Sequence, residues 1–239
     1  MEVVNSLLNF KNIKIYQNSD WFMFSLDSVL LAKFATIIKK TKRIADLGTG
    51  NAPIPIILST RTDAHIDAVE FQEEVFKLAS KSVKKNNLEN QIDLYHDSFH
   101  LFIKGRAEVF DLVTVNPPYF KYKEGSNINK NNIKTIARHE VTASLEEWIE
   151  AGSKLLKNGG NFAMVHRSER LIDVISLFLK NNIEPKRLRF IHPKRGMTSN
   201  MFLIEGKKDG NGGLKILKPL FVHRKDGEYT KEILGFFEE

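Results

Sequence analysis

Asn116-Pro117-Pro118-Tyr119 brings hydrogen-bond acceptors and an aromatic face together in four consecutive residues. Asn116 precedes a proline, which pushes its backbone toward the extended region. Pro117 and Pro118 have fixed φ and no N–H groups. The turn therefore presents the Asn116 side-chain oxygen and the Pro117 carbonyl, with Tyr119 beside them. A flat group carrying an amine, with two N–H bonds to donate, fits that arrangement. The plainer reading is a proline-rich turn out of a strand. The apolar run Val109 to Val115 just before it reads as a buried strand, so the tetrad stands at a strand's carboxyl end.

A second set of groups lies upstream. Asp46-Leu47-Gly48-Thr49-Gly50-Asn51-Ala52 follows one apolar run and precedes a helical pattern. Glycines there allow a tight turn and close approach of a ligand, and the helix start that follows suits a carboxylate. Glu70 ends the next apolar run, 24 residues after Asp46. An acid in that place can accept from both hydroxyls of a ribose. Asp97 follows the third run and can accept from an adenine amine. A dinucleotide fingerprint would require glycine at position 53, where this chain has Pro53, so a zwitterionic nucleoside with Asp46 as its acidic partner fits better. Singly, Asp46 reads as a turn residue, Glu70 as a solvated strand end and Asp97 as a cap before Ser98. In series, at successive strand ends, they describe one site.

The elements that must position these groups alternate. Strands are expected at Arg43–Leu47, Ile66–Glu70, Ile92–Tyr95, Val109–Val115 and Asn161–His166. Helices are expected at 27–40 with an Asp or Ser cap, from Pro53 to Ser59, Glu73 to Asn87, Leu145 to Lys157, and Ser168 to Asn181 with Ser168 as cap. Such alternation predicts a parallel sheet covered on both faces. The runs 187–192 and 200–205 predict a closing strand pair, followed by the turn Asp209–Gly213 and a short β-like tail. Residues 120–136, polar and rich in Asn and Lys, predict a mobile loop next to the tetrad.

At 239 residues the chain predicts a single domain: a segment 1–40, a core 41–206 and a tail 207–239. No apolar run is long enough to span a membrane, and the first residues do not read as a secretory signal. The absence of Cys excludes disulfides and thiolate metal sites and fits a reducing cytoplasm. No metal is expected. The net charge of +7 favours a polyanionic partner. Lys outnumbers Arg 26 to 10, and Lys richness can reflect coding bias, so Arg placement says more. Five arginines fall between 167 and 195, where eight Lys or Arg face three acids. Arg grips phosphate bidentately and stacks on bases.

Further stretches carry a resemblance. They are Phe24-Ser25-Leu26-Asp27-Ser28-Val29-Leu30-Leu31-Ala32, Ala137-Arg138-His139-Glu140, Glu169-Arg170-Leu171, Pro185 to Pro193 and Pro219-Leu220-Phe221-Val222. With the tetrad and the Gly48-Thr49-Gly50 turn, they resemble the tRNA1(Val) adenine-37 N6-methyltransferases, within the class I S-adenosylmethionine-dependent methyltransferases. The resemblance implies a Rossmann-like α/β fold, a mostly parallel seven-stranded sheet with helices on both faces. It implies S-adenosylmethionine as cofactor and the anticodon stem-loop of a tRNA as partner, with a monomeric protein. Asn116, Pro117, Pro118 and Tyr119 would be catalytic. Phe24, Asp27, Asp46, Gly48, Gly50, Glu70, Asp97 and Asn116 would bind the cofactor, with residues 1–40 covering it. Arg138, Arg167, Arg170, Arg187, Arg189, Lys194 and Arg195 would grip RNA. For Phe24 and Asp27 the plain readings are a core side chain and a helix cap; for Arg167 and Arg170, helix-end solvation. One departure is visible: relatives usually carry Gly where this chain has Ala52.

Other readings of the same residues stay open. A glutamine amide is also a planar amine, so the tetrad serves protein-glutamine N5-methyltransferases. Those enzymes usually carry an N-terminal helical domain, for which a first strand at Arg43 leaves no room. DNA adenine, rRNA guanine and a non-catalytic RNA-binding role are the remaining alternatives.

Overall fold

The computed structural model describes residues 2–6, 13–18, 26–119 and 143–238. The expected loop at 120–136, together with Phe24 and Arg138, lies outside the described residues. The first elements are strands β1 (Glu2–Ser6) and β2 (Lys14–Asn18), an antiparallel pair, then helix α1 (Leu26–Phe34). The core follows: β3 (Arg43–Leu47), α2 (Pro53–Ser59), β4 (His65–Glu70), α3 (Glu73–Lys85), β5 (Ile92–His96), α4 (Phe99–Phe102) and β6 (Phe110–Val115). Next come α5 (Leu145–Leu155), β7 (Leu156–Arg167), a 3-10 turn Ser168–Arg170, α6 (Leu171–Lys180), β8 (Ile183–Lys194) and β9 (Met201–Lys208). The chain closes with β10 (Lys215–Ile216), β11 (Leu220–His223) and α7 (Lys231–Glu238).

Seven strands order as β5-β4-β3-β6-β7-β9-β8, and β10 and β11 add two short pieces along the free edge of β8. Within this sheet the pairings are parallel except those of β9. β9 runs opposite to both its neighbours, so β8 points the same way as β7. The carboxyl ends of β3, β4, β5, β6, β7 and β8 therefore share one rim. Two cores sandwich the sheet. One packs α1, α2, α3 and α7 against it, and the other packs α4, α5 and α6. The alternating strand and helix pattern leads to this arrangement because strands buried on both faces must be apolar throughout.

Several local details differ from the sequence reading. α1 spans Leu26–Phe34 rather than 27–40, and Asp27 and Ser28 lie inside its first turn. α5 opens with a capping box, Ser144 accepting from the Glu147 N–H at 3.3 Å while Glu147 accepts from the Ser144 N–H at 2.7 Å. It ends at Leu155, and β7 begins at once. The Asn158-Gly159-Gly160 stretch is absorbed as an irregularity in β7, with Gly159 at φ +74°. Ser168 does not cap a helix; its hydroxyl meets the Ser199 hydroxyl at 2.9 Å, and a 3-10 turn precedes α6. The tail holds a helix, α7, whose Ile233 and Phe237 are buried.

Candidate active site

The tetrad follows β6 directly, at the carboxyl rim. Its strand lies between β3 and β7, so Asn116 stands beside the glycine turn that follows β3. The Asn116 Oδ1 accepts from the Tyr119 hydroxyl at 2.6 Å, and its Nδ2 donates to Ser28 Oγ at 3.3 Å. The Tyr119 oxygen also lies 3.1 Å from Asp27 Oδ2. Burial, with the Asp27 carboxylate next to it, pushes the Tyr119 phenol well above its ordinary value. Its ring packs edge-on to His166 at 5.6 Å. The His166 Nδ1 accepts from the Arg167 N–H at 2.9 Å, which leaves the ring proton on Nε2. Burial, reinforced by the Arg170 charge, pushes His166 down to about 4.

The glycine turn has a different chemistry. Asp46 is 1% exposed; its Oδ1 accepts from the Thr114 hydroxyl at 2.6 Å, while its Oδ2 is buried without a hydrogen-bond partner. Burial pushes the carboxyl up to about 7 against the lowering effect of the Thr114 hydroxyl. The buried Thr49 hydroxyl acts on the same carboxyl and also lowers it. Gly48 has φ +68°, and a Cβ there would come within 2.8 Å of the Trp148 ring. Gly50 has φ +60° with open space beside it, and Ala52 is a buried non-glycine residue at φ 67°. Glu70 bridges the turn: its Oε2 accepts from the Gly50 N–H at 2.9 Å and its Oε1 from the Gln72 N–H at 2.8 Å. Burial raises the Glu70 carboxyl. Asp97 accepts from the Ser98 N–H at 2.8 Å, and Ser98 rather than Asp97 caps α4.

From the N-terminal pair, the Tyr16 carbonyl accepts from Asn51 Nδ2 at 2.9 Å, which sets β2 against the turn. The neighbouring Gln17 side chain is 1% exposed, and both its amide atoms lack partners. A buried amide left unsatisfied costs about 1–3 kcal/mol. Among the described residues, the Gln17 amide on β2 and Asp46 Oδ2 at the turn that β2 meets through Asn51 are thus a set of buried donors and acceptors without hydrogen-bond partners. That set suits a small zwitterion, whose ammonium and carboxylate need both kinds of partner.

The expected RNA residues divide. Lys194 and Arg195 lie at the carboxyl rim, on the turn joining β8 to β9, with the Arg195 guanidinium 5.4 Å from the Phe221 ring centre. Arg167 ends β7 on the same rim. The other three have internal roles. Arg170 is largely buried and pairs with Asp173 at 2.7 Å. Arg187 pairs with Glu205 at 3.2 Å, donates to the Phe34 carbonyl and stacks over the Phe34 ring. Arg189 donates to the Lys218 carbonyl and pairs with Glu232 at 2.6 Å. The guanidinium groups of Arg187 and Arg189 fasten α1, β9 and the tail to β8. On the opposite rim His65, Asp67 and Asp93 lie together, with the Arg43 guanidinium 2.6 Å from Asp67 as counter-charge.

Residues 17–178 match the family model described as RNA methyltransferase. A tRNA1(Val) (adenine(37)-N6)-methyltransferase of Haemophilus influenzae strain PittEE is 33% identical over 230 residues, 94% of each chain. The chain belongs to this family of RNA methyltransferases. A relative of the same description from Parabacteroides distasonis is 28% identical over 203 residues, 85% of this chain and 84% of the relative. Among solved structures, the fold is similar to Atu636 of Agrobacterium tumefaciens, described as a predicted O-methyltransferase. The TM-score is 0.70 at 21% identity, covering 89% of this chain and 95% of that one. It is also similar to TYW2 of P. horikoshii in complex with MeSAdo, with a TM-score of 0.61 at 14% identity, covering 87% of this chain and 72% of that one.

Around the candidate site, sequence reasoning missed Ser28, Thr49, Thr114, Trp148, His166 and Gln17. Ser28 and Thr49 were within reach, since they sit in the quoted Phe24–Ala32 stretch and the Gly48-Thr49-Gly50 turn. The others are single residues on strands or helices whose types alone do not mark them.

Proposed function

We propose that the protein transfers a methyl group from S-adenosylmethionine to the N6 amine of adenine 37 in tRNA1(Val), acting as a monomer in the cytoplasm on the anticodon stem-loop. The observation that carries this reading is the placement of the Asn116 carboxamide oxygen and Tyr119 on the rim that also holds the unsatisfied Asp46 Oδ2 and the open Gly50. Asp46, Thr49 and Gln17 suit the amino-acid end of the cofactor, Glu70 its ribose and Asp97 its adenine. When bound, S-adenosylmethionine supplies an electrophilic methyl group on a positively charged sulfur.

An adenine amine is a weak nucleophile because its lone pair is delocalised into the ring. Asn116 Oδ1 and the Pro117 carbonyl accept its two N–H bonds, so the lone pair is freed from the ring plane. The same oxygens stabilise positive charge as it develops on nitrogen. Tyr119 supplies a face for the base, worth about 1–3 kcal/mol. An anticodon loop, already single-stranded, makes extruding the base inexpensive. Arg167, Lys194 and Arg195 hold phosphates around it.

The test is incubation of the pure protein with total RNA and labelled S-adenosylmethionine, followed by nucleoside mass spectrometry. N6-methyladenosine in tRNA1(Val), lost when adenine 37 is replaced by guanine, is the expected result. Label in protein glutamine, or in no substrate, would reject it.

A further inference from the structure

We infer that Asp27 and Ser28, adjacent on the first turn of α1, are positioning residues that aim the amine acceptor Asn116 and its neighbour Tyr119. This rests on the reading of the tetrad as an amine-methylating site. The Tyr119 hydroxyl has one proton and faces two acceptors, Asn116 Oδ1 at 2.6 Å and Asp27 Oδ2 at 3.1 Å. It can donate to only one of them at a time. As the structure stands, the shorter contact fills one lone pair of the oxygen that an incoming amine requires. An amine arriving at Asn116 Oδ1 competes with the phenol there, and the phenol O–H, keeping its proton, can donate to the Asp27 carboxylate instead. The ring then stays anchored while the acceptor turns to substrate.

Ser28 acts on the other end of the same carboxamide. Its Oγ receives Asn116 Nδ2 at 3.3 Å, which fixes the amide with its oxygen toward Tyr119 and the substrate side. A carboxamide turned by 180° would present two N–H donors to an amine that also donates, and the site would repel its substrate. α1 is held in place independently of this contact. The Arg61 side chain donates to the Ala32 and Ala35 carbonyls beyond the turn, and Val29, Leu30, Leu31 and Ala32 are buried. The first turn can therefore serve as a fixed jig for the tetrad. This assigns Asp27 to the acceptor rather than to the cofactor.

The experiment compares Asp27→Asn, Ser28→Ala, Tyr119→Phe and the double variant Asp27→Asn/Tyr119→Phe. S-adenosylmethionine affinity is read by calorimetry, and kcat and KM for tRNA by methyl transfer. Expected are cofactor affinities within about threefold of wild type, with kcat lowered about tenfold in Asp27→Asn, the scale of a hydrogen bond to a charged group, and about fivefold in Ser28→Ala, the scale of a neutral one. Asp27→Asn should add nothing to Tyr119→Phe, because it acts through the missing hydroxyl. Tenfold weaker cofactor binding with unchanged kcat would overturn the proposal, as would losses that multiply in the double variant. A second readout needs no activity. The phenol of Tyr119, followed by carbon-13 labelling of its ring, should titrate at lower pH in Asp27→Asn than in wild type, and an unchanged titration would overturn the contact itself. A wild-type protein that methylates no RNA would refute the proposed function while leaving this titration to decide the orientation.

Discussion

In the proposed mechanism Asn116 offers one carboxamide oxygen to an incoming amine, and Asn116→Ala would leave that amine with the Pro117 carbonyl alone. Removing one preorganised partner of a transition state typically costs about 10²–10³-fold in rate. Methyl transfer to tRNA should fall by that order while calorimetry still registers cofactor binding. Asp46 gives a pH signature. Its carboxyl sits near 7 when folded and from about 4 upward loses its proton when unfolded, so the folded state holds the extra proton between those values. Stability contributed by the protonated group is therefore lost as pH rises from about 4 to about 7. Asp46→Asn removes that loss. Its stability relative to wild type should rise across the window in denaturant titrations of the cofactor-free protein. The same variant should bind S-adenosylmethionine weakly, because the ammonium loses its anionic partner.

On the scale of elements, the glycine turn after β3 shows two demands on one short stretch. Gly48 needs positive φ and also clears the Trp148 ring, so Gly48→Ala combines a strained backbone with a contact 2.8 Å long. The backbone term alone is about 1–2 kcal/mol, and thermal melts should show a loss at least that large. Ala52 differs. Its φ of 67° carries a similar strain, but its methyl is fully buried, and burial of one such group is worth about 0.8 kcal/mol. Ala52→Gly should therefore change stability by less than about 1 kcal/mol in the same melts. The strands here were readable in advance because a strand covered on both faces must be an apolar run. The acids at their carboxyl ends were readable because parallel topology gathers those ends. Helix limits were less so. Asp27 and Ser28 have the composition of a cap, and only the position of Tyr119 and Asn116 shows that their oxygens face the tetrad. α7 went unread because its amphipathic pattern spans only eight residues.

For the molecule as a whole, the charge of +7 is less a binding surface than its Arg count suggests. The partners of Arg187 and Arg189, namely Glu205, the Phe34 carbonyl and Glu232, lie far along the chain. Sequence proximity could not pair them. Charge reversal at Lys194 and Arg195 should weaken tRNA binding and make its dependence on salt shallower by about one unit of log–log slope per lost contact, with melting unchanged. Reversal at Arg187 should instead lower the melting temperature, since it leaves Glu205 nearly buried beside a second acid.

The reversal of β9 within the main sheet has a consequence for how such a protein can change over generations. That reversal brings the β8–β9 turn, residues 195–200, up to the rim where the tetrad lies. The Ser168 N–H donates to the Asn200 carbonyl and ties that turn to the end of β7. Insertions and substitutions in an exposed turn leave the sheet register untouched. Selection can thus alter what that turn contacts while the tetrad, held two strands away after a buried parallel strand, stays as it is.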